Sequence, residues 1–319
     1  MNPQNFRKKE KKNMASYNLK VFEYKEFVQY RFYSRTIKKN DDDEIIDNDI
    51  CSAEDERTQI AFDEDMLVPF DGTPLEKCVD LDNLPTAEEL EERKNRSMEV
   101  SVNRTVQTIY GYAQSNKWDW FVTLTFRRDL KFDVKDYDSV VRKLTGWLHD
   151  QRKKCPDLKY LFVPEKHKNG AWHFHGLIAN ADKLSFTDSR RVAVGNKAYL
   201  RTENNKEYET IYNMDNWKYG FSTATKIVSS SKASSYICKY ITKDVIRHSE
   251  RRRRFYASNN LDKPVVSEYL FNGDDLDDLL ESMSEDINYI KTQTIEDAKL
   301  IVKYVQIMKG GVNSESEKE

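Results

Sequence analysis

The sequence predicts an α+β fold, a central antiparallel sheet with helices on one face, extended at both ends of the chain. Three observations in the middle of the chain carry this expectation. Phe121 to Phe126 is a β-branched and aromatic run of the kind found in buried strands. Asp138 to Lys154 places Val140, Val141, Leu144, Trp147 and Leu148 on one stripe of an amphipathic helix. YLFVPE and HFHGLIA then read as two short strands around the turn KNG, and a second long helix is expected to start near Ser229 and run through IVSSSKASSYICKYITKDVIRH. Strand, helix, hairpin, helix is the order of an antiparallel sheet with helices packed on it.

Around this centre (residues 95–265), the chain divides into an N-terminal extension (1–94) and an acidic, partly helical C-terminal tail (266–319). Val21 to Ile37 alternates loosely enough for a hairpin or a pair of strands, and Lys38 to Leu84 reads as an acidic insertion. From Thr86 to Asn116 good helix formers predict one or two helices. After Arg254 the stretch FYASNNLDKP reads as a loop, and Asp297 to Lys309 reads as helix-like.

Composition narrows the function classes. No run of eighteen apolar residues exists and the N-terminus is polar and lysine-rich, so neither a membrane span nor a secretory signal is expected. The four cysteines are widely separated, which argues against a disulfide scaffold or a zinc ribbon and for a reducing cytoplasm. A net charge of -2 conceals an asymmetry: residues 101–260 hold 30 Lys+Arg against 16 Asp+Glu, a balance of +14, so the flanks carry -16. A basic centre between acidic ends fits polyanion binding.

His173 and His175 lie two apart on a predicted strand, so both imidazoles project from one face, opposite Phe174. Two imidazoles are half of a metal site. The preceding strand completes it in one hairpin register only. A two-residue turn at Asn169 and Gly170 would set Glu165 against Phe174 on the wrong face. A three-residue loop, with Gly170 left-handed, pairs His167 with Ala171 and Glu165 with His173. One carboxylate and two imidazoles then share a face, a donor set for Mg²⁺ or Mn²⁺ in nucleotidyl transfer or for Zn²⁺ in a hydrolase, with His167 as a further ligand or a supporting group.

Tyr236, Lys239, Tyr240 and Lys243 stand at helical spacing on one stripe, apart from an apolar stripe of Ile237, Ile241 and Val245. Tyrosines so spaced commonly only pack. A phenol can also form a covalent intermediate, but with a pKa near 10 it needs a metal on the phosphoryl oxygen and an ammonium nearby to act at neutral pH. Arg251, Arg252, Arg253 and Arg254, followed by Phe255 and Tyr256, combine phosphate-binding and base-stacking groups.

The ordered set FVTLTF, HFHGL and YICKYITK resembles the three motifs of the HUH endonucleases, and more narrowly the rolling-circle replication initiators of small bacteriophages and bacterial plasmids. The resemblance covers roughly residues 95–265, including NWKYGFS. It implies an RRM-like, ferredoxin-like sheet and a tyrosine that nicks one strand at an origin, stays on the 5′ phosphate and leaves a 3′-OH. The doubled Tyr-x-x-x-Tyr is similar to the two-tyrosine phage-type initiators, and Glu165 to the acidic third ligand of related ones. Implied partners are single-stranded or hairpin origin DNA in a bacterial cytoplasm, a host DNA polymerase and, since no Walker A glycine pattern is present, a host helicase. A relaxase, a single-strand transposase, a metal phosphoesterase and a non-catalytic single-strand binder are the competing readings.

Overall fold

The computed structural model describes residues 16–38, 87–129, 131–194, 197–228, 230–240, 253–272, 276–295 and 299–309. The acidic segment 39–84, Lys243, Arg251, Arg252 and the expected tyrosine helix beyond Tyr240 lie outside them. In chain order come β1 (Ser16–Glu23), β2 (Phe27–Lys38), α1 (Ala87–Ser115), β3 (Trp120–Thr125), α2 (Tyr137–Lys154), β4 (Lys159–Lys166) and β5 (Trp172–Ala179). They are followed by β6 (Phe186–Val194), β7 (Lys197–Leu200), β8 (Glu209–Met214), β9 (Ser222–Lys226) and α3 (Ser230–Cys238). Last come β10 (Tyr256–Ala257), β11 (Val265–Tyr269), α4 (Leu276–Ser282), β12 (Ile287–Ile295) and β13 (Leu300–Met308). No helix among the described residues is long and apolar enough to cross a membrane.

Two antiparallel sheets result, and the α+β class is as the sequence predicts. The larger runs β10-β4-β5-β3-β9-β8-β6-β7. Its helices occupy both faces, where the sequence predicts one. The reason is the double use of β4 and β5, whose alternate residues are apolar on both sides. Phe162, Phe174 and Ile178 pack with Val140, Leu144, Trp147 and Leu148 of α2. Leu161, Val163 and Leu177 point the other way, against Ile109 and Ala113 of α1 and Ile237 of α3. Asp136 caps α2 by accepting from the Ser139 N–H at 2.9 Å, and Arg152, Lys153 and Lys154 in its last turn oppose the helix dipole.

The smaller sheet, β11-β1-β2-β13-β12, unites the two ends of the chain. The helix expected over Asp297 to Lys309 is instead strand β13. LIVKYVQIM alternates in burial, and it pairs with β2 from Val302 opposite Tyr33 to Met308 opposite Phe27, a partner the local sequence does not reveal. α4 covers one face of this sheet through Leu276, Leu279 and Leu280. On the other, Arg31 is buried with its guanidinium 4.1 Å over the Phe22 ring and an Nη2–H donating to Gln107 Oε1 of α1 at 3.3 Å. Lys25 N–H reaches the carbonyl of Gln114 at 3.2 Å, so α1 is braced by the small sheet on one side and packs on the large sheet with the other.

Gly176, between His175 and Leu177, faces Phe162 directly across the β4–β5 pair. A Cβ there would lie 2.3 Å from the Phe162 ring, which is fully buried. Gly176→Ala is therefore expected to cost about 1–3 kcal/mol through overpacking. Urea denaturation would show a lower midpoint at unchanged slope; an unchanged midpoint would mean that the ring moves aside freely.

Candidate active site

The site grows from three adjacent strands. In the β4–β5 hairpin His167 N–H donates to the carbonyl of Ala171 at 2.9 Å, Gly170 has φ 87°, and Glu165 stands opposite His173. This is the three-residue loop, and it puts Glu165, His173 and His175 on one face. On the other side of β5, Thr125 stands opposite His173 and Thr123 opposite His175. The Thr125 hydroxyl lies 2.9 Å from His173 Nδ1 and the Thr123 hydroxyl 3.1 Å from His175 Nδ1. Sequence reasoning passed over both threonines. Their signal was the T-x-T spacing of β3, which matches H-x-H on β5 once the two strands are known to pair.

The loop carrying NWKYGFS fixes the end of β3. Thr125 N–H donates to the carbonyl of Phe221 at 2.8 Å, Arg127 N–H to that of Tyr219 at 3.0 Å, and Trp217 Nε1–H to the carbonyl of Thr125 at 3.1 Å. Trp217 is itself buried edge-to-face against Phe126 and Trp147. The position of Thr125 is thus set from the α2 side of the sheet.

Glu165 Oε2 is 2.7 Å from His175 Nε2. This bond holds the Glu165 carboxyl below the usual carboxylate range, against an opposing push from burial. Since an ionised carboxylate only accepts, Nε2 is the protonated nitrogen of a neutral His175, and Nδ1 then accepts from Thr123. Burial, with His167 and His175 nearby, pushes His173 down to about 4, so it is neutral at physiological pH. His167 stacks on His173 at 4.0 Å between ring centroids.

Among the described residues no group of three His, Cys, Asp or Glu side chains is arranged around a common metal position. Glu165 turns to His175, while His173 lies against His167. The donor set nevertheless fits a divalent ion. It offers a carboxylate and two imidazoles whose Nδ1 atoms are held by hydroxyls able to donate or accept, the kind of support that ligating histidines have. Cis ligands about 2.1 Å from an octahedral ion lie about 3 Å apart. The Glu165 and His175 atoms are already near that separation.

α3 brings the tyrosines over this face, ending at Cys238 and tightening into i to i+3 turns, with Lys239 N–H bonded to the carbonyl of Tyr236 and Tyr240 N–H to that of Ile237. The Tyr240 ring lies flat on His175 at 3.5 Å and 11°. Tyr236 stands edge-on to Tyr240 at 5.4 Å and to Phe121 at 5.2 Å, is 39% exposed, and has the Lys239 ammonium 5.3 Å from its ring centre. Burial, then the hydrogen bond with Tyr236, holds the Tyr240 phenol above the ordinary tyrosine range. The neighbouring Cys238 thiol is pushed up to about 12 by burial, which removes it as a nucleophile.

The segment expected to bind DNA after the tyrosine helix does something else. Tyr256 is buried against Phe174, Phe255 packs on Tyr112, and Arg254 Nη1 donates to Ser101 and Thr105 of α1. These rings fill the two cores flanking β4, because β10 pairs with that strand and alternates its side chains across it. Arg253 remains exposed.

Past β3 the histidine face of the sheet opens into a groove of about 870 Å³ that shares Phe121, Thr123 and Tyr236 with the site. Glu209 lines it, its carboxyl raised by burial against a pull from the Thr225 hydroxyl.

Residues 119–245 match the family model of the replication-associated protein ORF2. The match supports a rolling-circle replication initiator family. It begins one residue before β3 and extends beyond Tyr240, so it takes in Glu165, both histidines, both threonines and both tyrosines, and leaves out α1 and the small sheet. Searches of curated proteins and of solved structures gave no significant match.

The depressed His173 gives a pH signature for the initiator segment. His173 stays neutral in the folded chain down to about 4, whereas in the unfolded chain it binds a proton near 6.5. In chelator, stability should be full above pH 6.5 and fall as pH drops toward 4, and His173→Gln should remove part of that fall. Chemical denaturation across this range checks it; an equal fall in wild type and variant would contradict the neutral, buried state of His173.

Proposed function

We propose that this chain initiates rolling-circle replication by nicking one DNA strand at an origin and holding the new 5′ end on a tyrosine. The observation that carries the reading is the placement of Tyr236 and Tyr240 on the Glu165, His173, His175 face by a helix that crosses β5. The family match adds the replication role.

In this mechanism Tyr236 Oη attacks the scissile phosphorus, a Tyr–O–P bond forms and the P–O3′ bond breaks. The phenol gives up its proton and the departing O3′ gains one, so a free 3′-OH is left to prime synthesis. A Mg²⁺ or Mn²⁺ ion held by Glu165, His173 and His175 would supply polarisation of the scissile phosphate. The Lys239 ammonium, close to the Tyr236 ring, offsets the phenolate charge as attack proceeds. Lys243 is assigned the same role toward Tyr240.

The tyrosines are unequal. Tyr236 is exposed and carries its lysine, while Tyr240 is pressed on His175 with its phenol held protonated. The first attack therefore belongs to Tyr236, and Tyr240 serves the second strand transfer, which joins the circle after it leaves the imidazole. A host helicase and polymerase in a bacterial cytoplasm complete the reaction. A hydrolytic phosphoesterase needs no paired phenols at this place, and a simple binder needs neither them nor the ligand set.

The test uses end-labelled single-stranded origin DNA with Mn²⁺ and a denaturing gel. Tyr236→Phe is expected to cut the initial covalent adduct by about a hundredfold or more, the scale of a lost nucleophile. Tyr240→Phe is expected to keep the first adduct and lose rejoining, and the double variant to form none. Cleavage without any adduct would replace this reading with a phosphoesterase, and an adduct that depends on Tyr240 alone would reverse the assignment.

A further inference from the structure

The groove beside the tyrosines is lined for a nucleobase rather than for a phosphate chain. Thr223 stands opposite Thr123, and Thr225 opposite Phe121, so both hydroxyls lie on the histidine face of β9. On β8, Tyr212 stands opposite Ala224 in the core under α2, which turns Ile211 and Glu209 to the groove side. The floor is thus hydroxyls and a carboxylate, and the wall nearest the site is Phe121 with Tyr236.

Cations are scarce there. Of the two lysines in the lining, Lys226 holds its ammonium 5.9 Å from Trp120 and 6.0 Å from Tyr212, rings of the opposite face, which leaves Lys197. Glu207 and Glu209 would repel a phosphate laid along the floor. A base brings no charge, a flat face for the aromatic wall, and in cytosine, adenine and guanine an exocyclic amino group that a carboxylate accepts from. Thymine has no such amino group. Since Tyr236 belongs both to the groove wall and to the proposed site, a strand attached at the tyrosine has its neighbouring nucleotide at the groove mouth.

We propose that Glu209, between the Thr223 and Thr225 hydroxyls, selects an amino-bearing base next to the scissile phosphate and rejects thymine. This rests on the reading of the chain as a strand-nicking initiator. Glu209 acts in recognition and stands apart from the proposed chemistry.

The experiment equilibrates the full chain, in chelator so that no strand is cut, with a random single-stranded DNA library, and sequences the retained pool for wild type, Glu209→Ala and Glu209→Gln. Wild type should disfavour thymine about tenfold at one position, Glu209→Ala should level that position, and Glu209→Gln, whose amide can donate to a thymine carbonyl, should admit thymine. Other positions should keep their preferences, which a merely structural role of Glu209 would not allow. Strand retention with the same thymine exclusion in both variants, or with no excluded base in wild type, overturns the inference and leaves the nicking reading standing. Failure of the wild type to retain any single strand overturns both.

Discussion

Thr125, His173 and Glu165 lie abreast on three neighbouring strands, and a slip of one residue in either pairing would send part of the set to the opposite face. This antiparallel register is what every other feature of the site depends on. It is fixed at one end by Gly170, whose left-handed backbone closes the hairpin, and at the other by the buried Trp217, which grips the last carbonyl of β3. Between them Gly176 lets Phe162 lie flat on the strand, so that the α2 side packs tightly beneath the histidines. The apolar face holds the polar face in place.

The second requirement is a helix over the polar face. α3 is short, and its position comes from α1, with Ile237 and Cys238 seated among Leu161, Leu177, Ile109 and Val106. α1 is in turn braced by the small sheet through Arg31 and Lys25. The two ends of the chain, remote from the tyrosines in sequence, thereby support the element that presents them. Burial and charge then distinguish groups of one chemical type: His173 is kept neutral and Glu165 ionised, and of two tyrosines one turn apart one is exposed and one pressed on an imidazole.

Much of this was legible in the sequence because it is local. Alternation revealed β3 and β5, the i, i+4 stripe revealed α2, and loop length with a glycine decided the register that unites Glu165 with the histidines. What the sequence concealed is long-range. LIVKYVQIM reads as readily as helix until β2 is available to pair with it. Phe255 and Tyr256 look like base-stacking rings until the pairing of β10 with β4 turns them inward. Thr123 and Thr125 look like ordinary strand residues until β3 is set beside β5. The strands β6 to β8, which build the groove, gave no motif.

The central claim is that Glu165, His173 and His175 form one divalent-ion site beneath the tyrosines. Mn²⁺ is the direct probe, because its electron spin senses nitrogen nuclei in its coordination shell. Pulsed electron paramagnetic resonance of the full chain titrated with Mn²⁺ should show coupling to histidine nitrogen that is reduced in His173→Gln and His175→Gln. A signal of fully hydrated Mn²⁺ at every protein concentration, with no nitrogen coupling, would contradict the account.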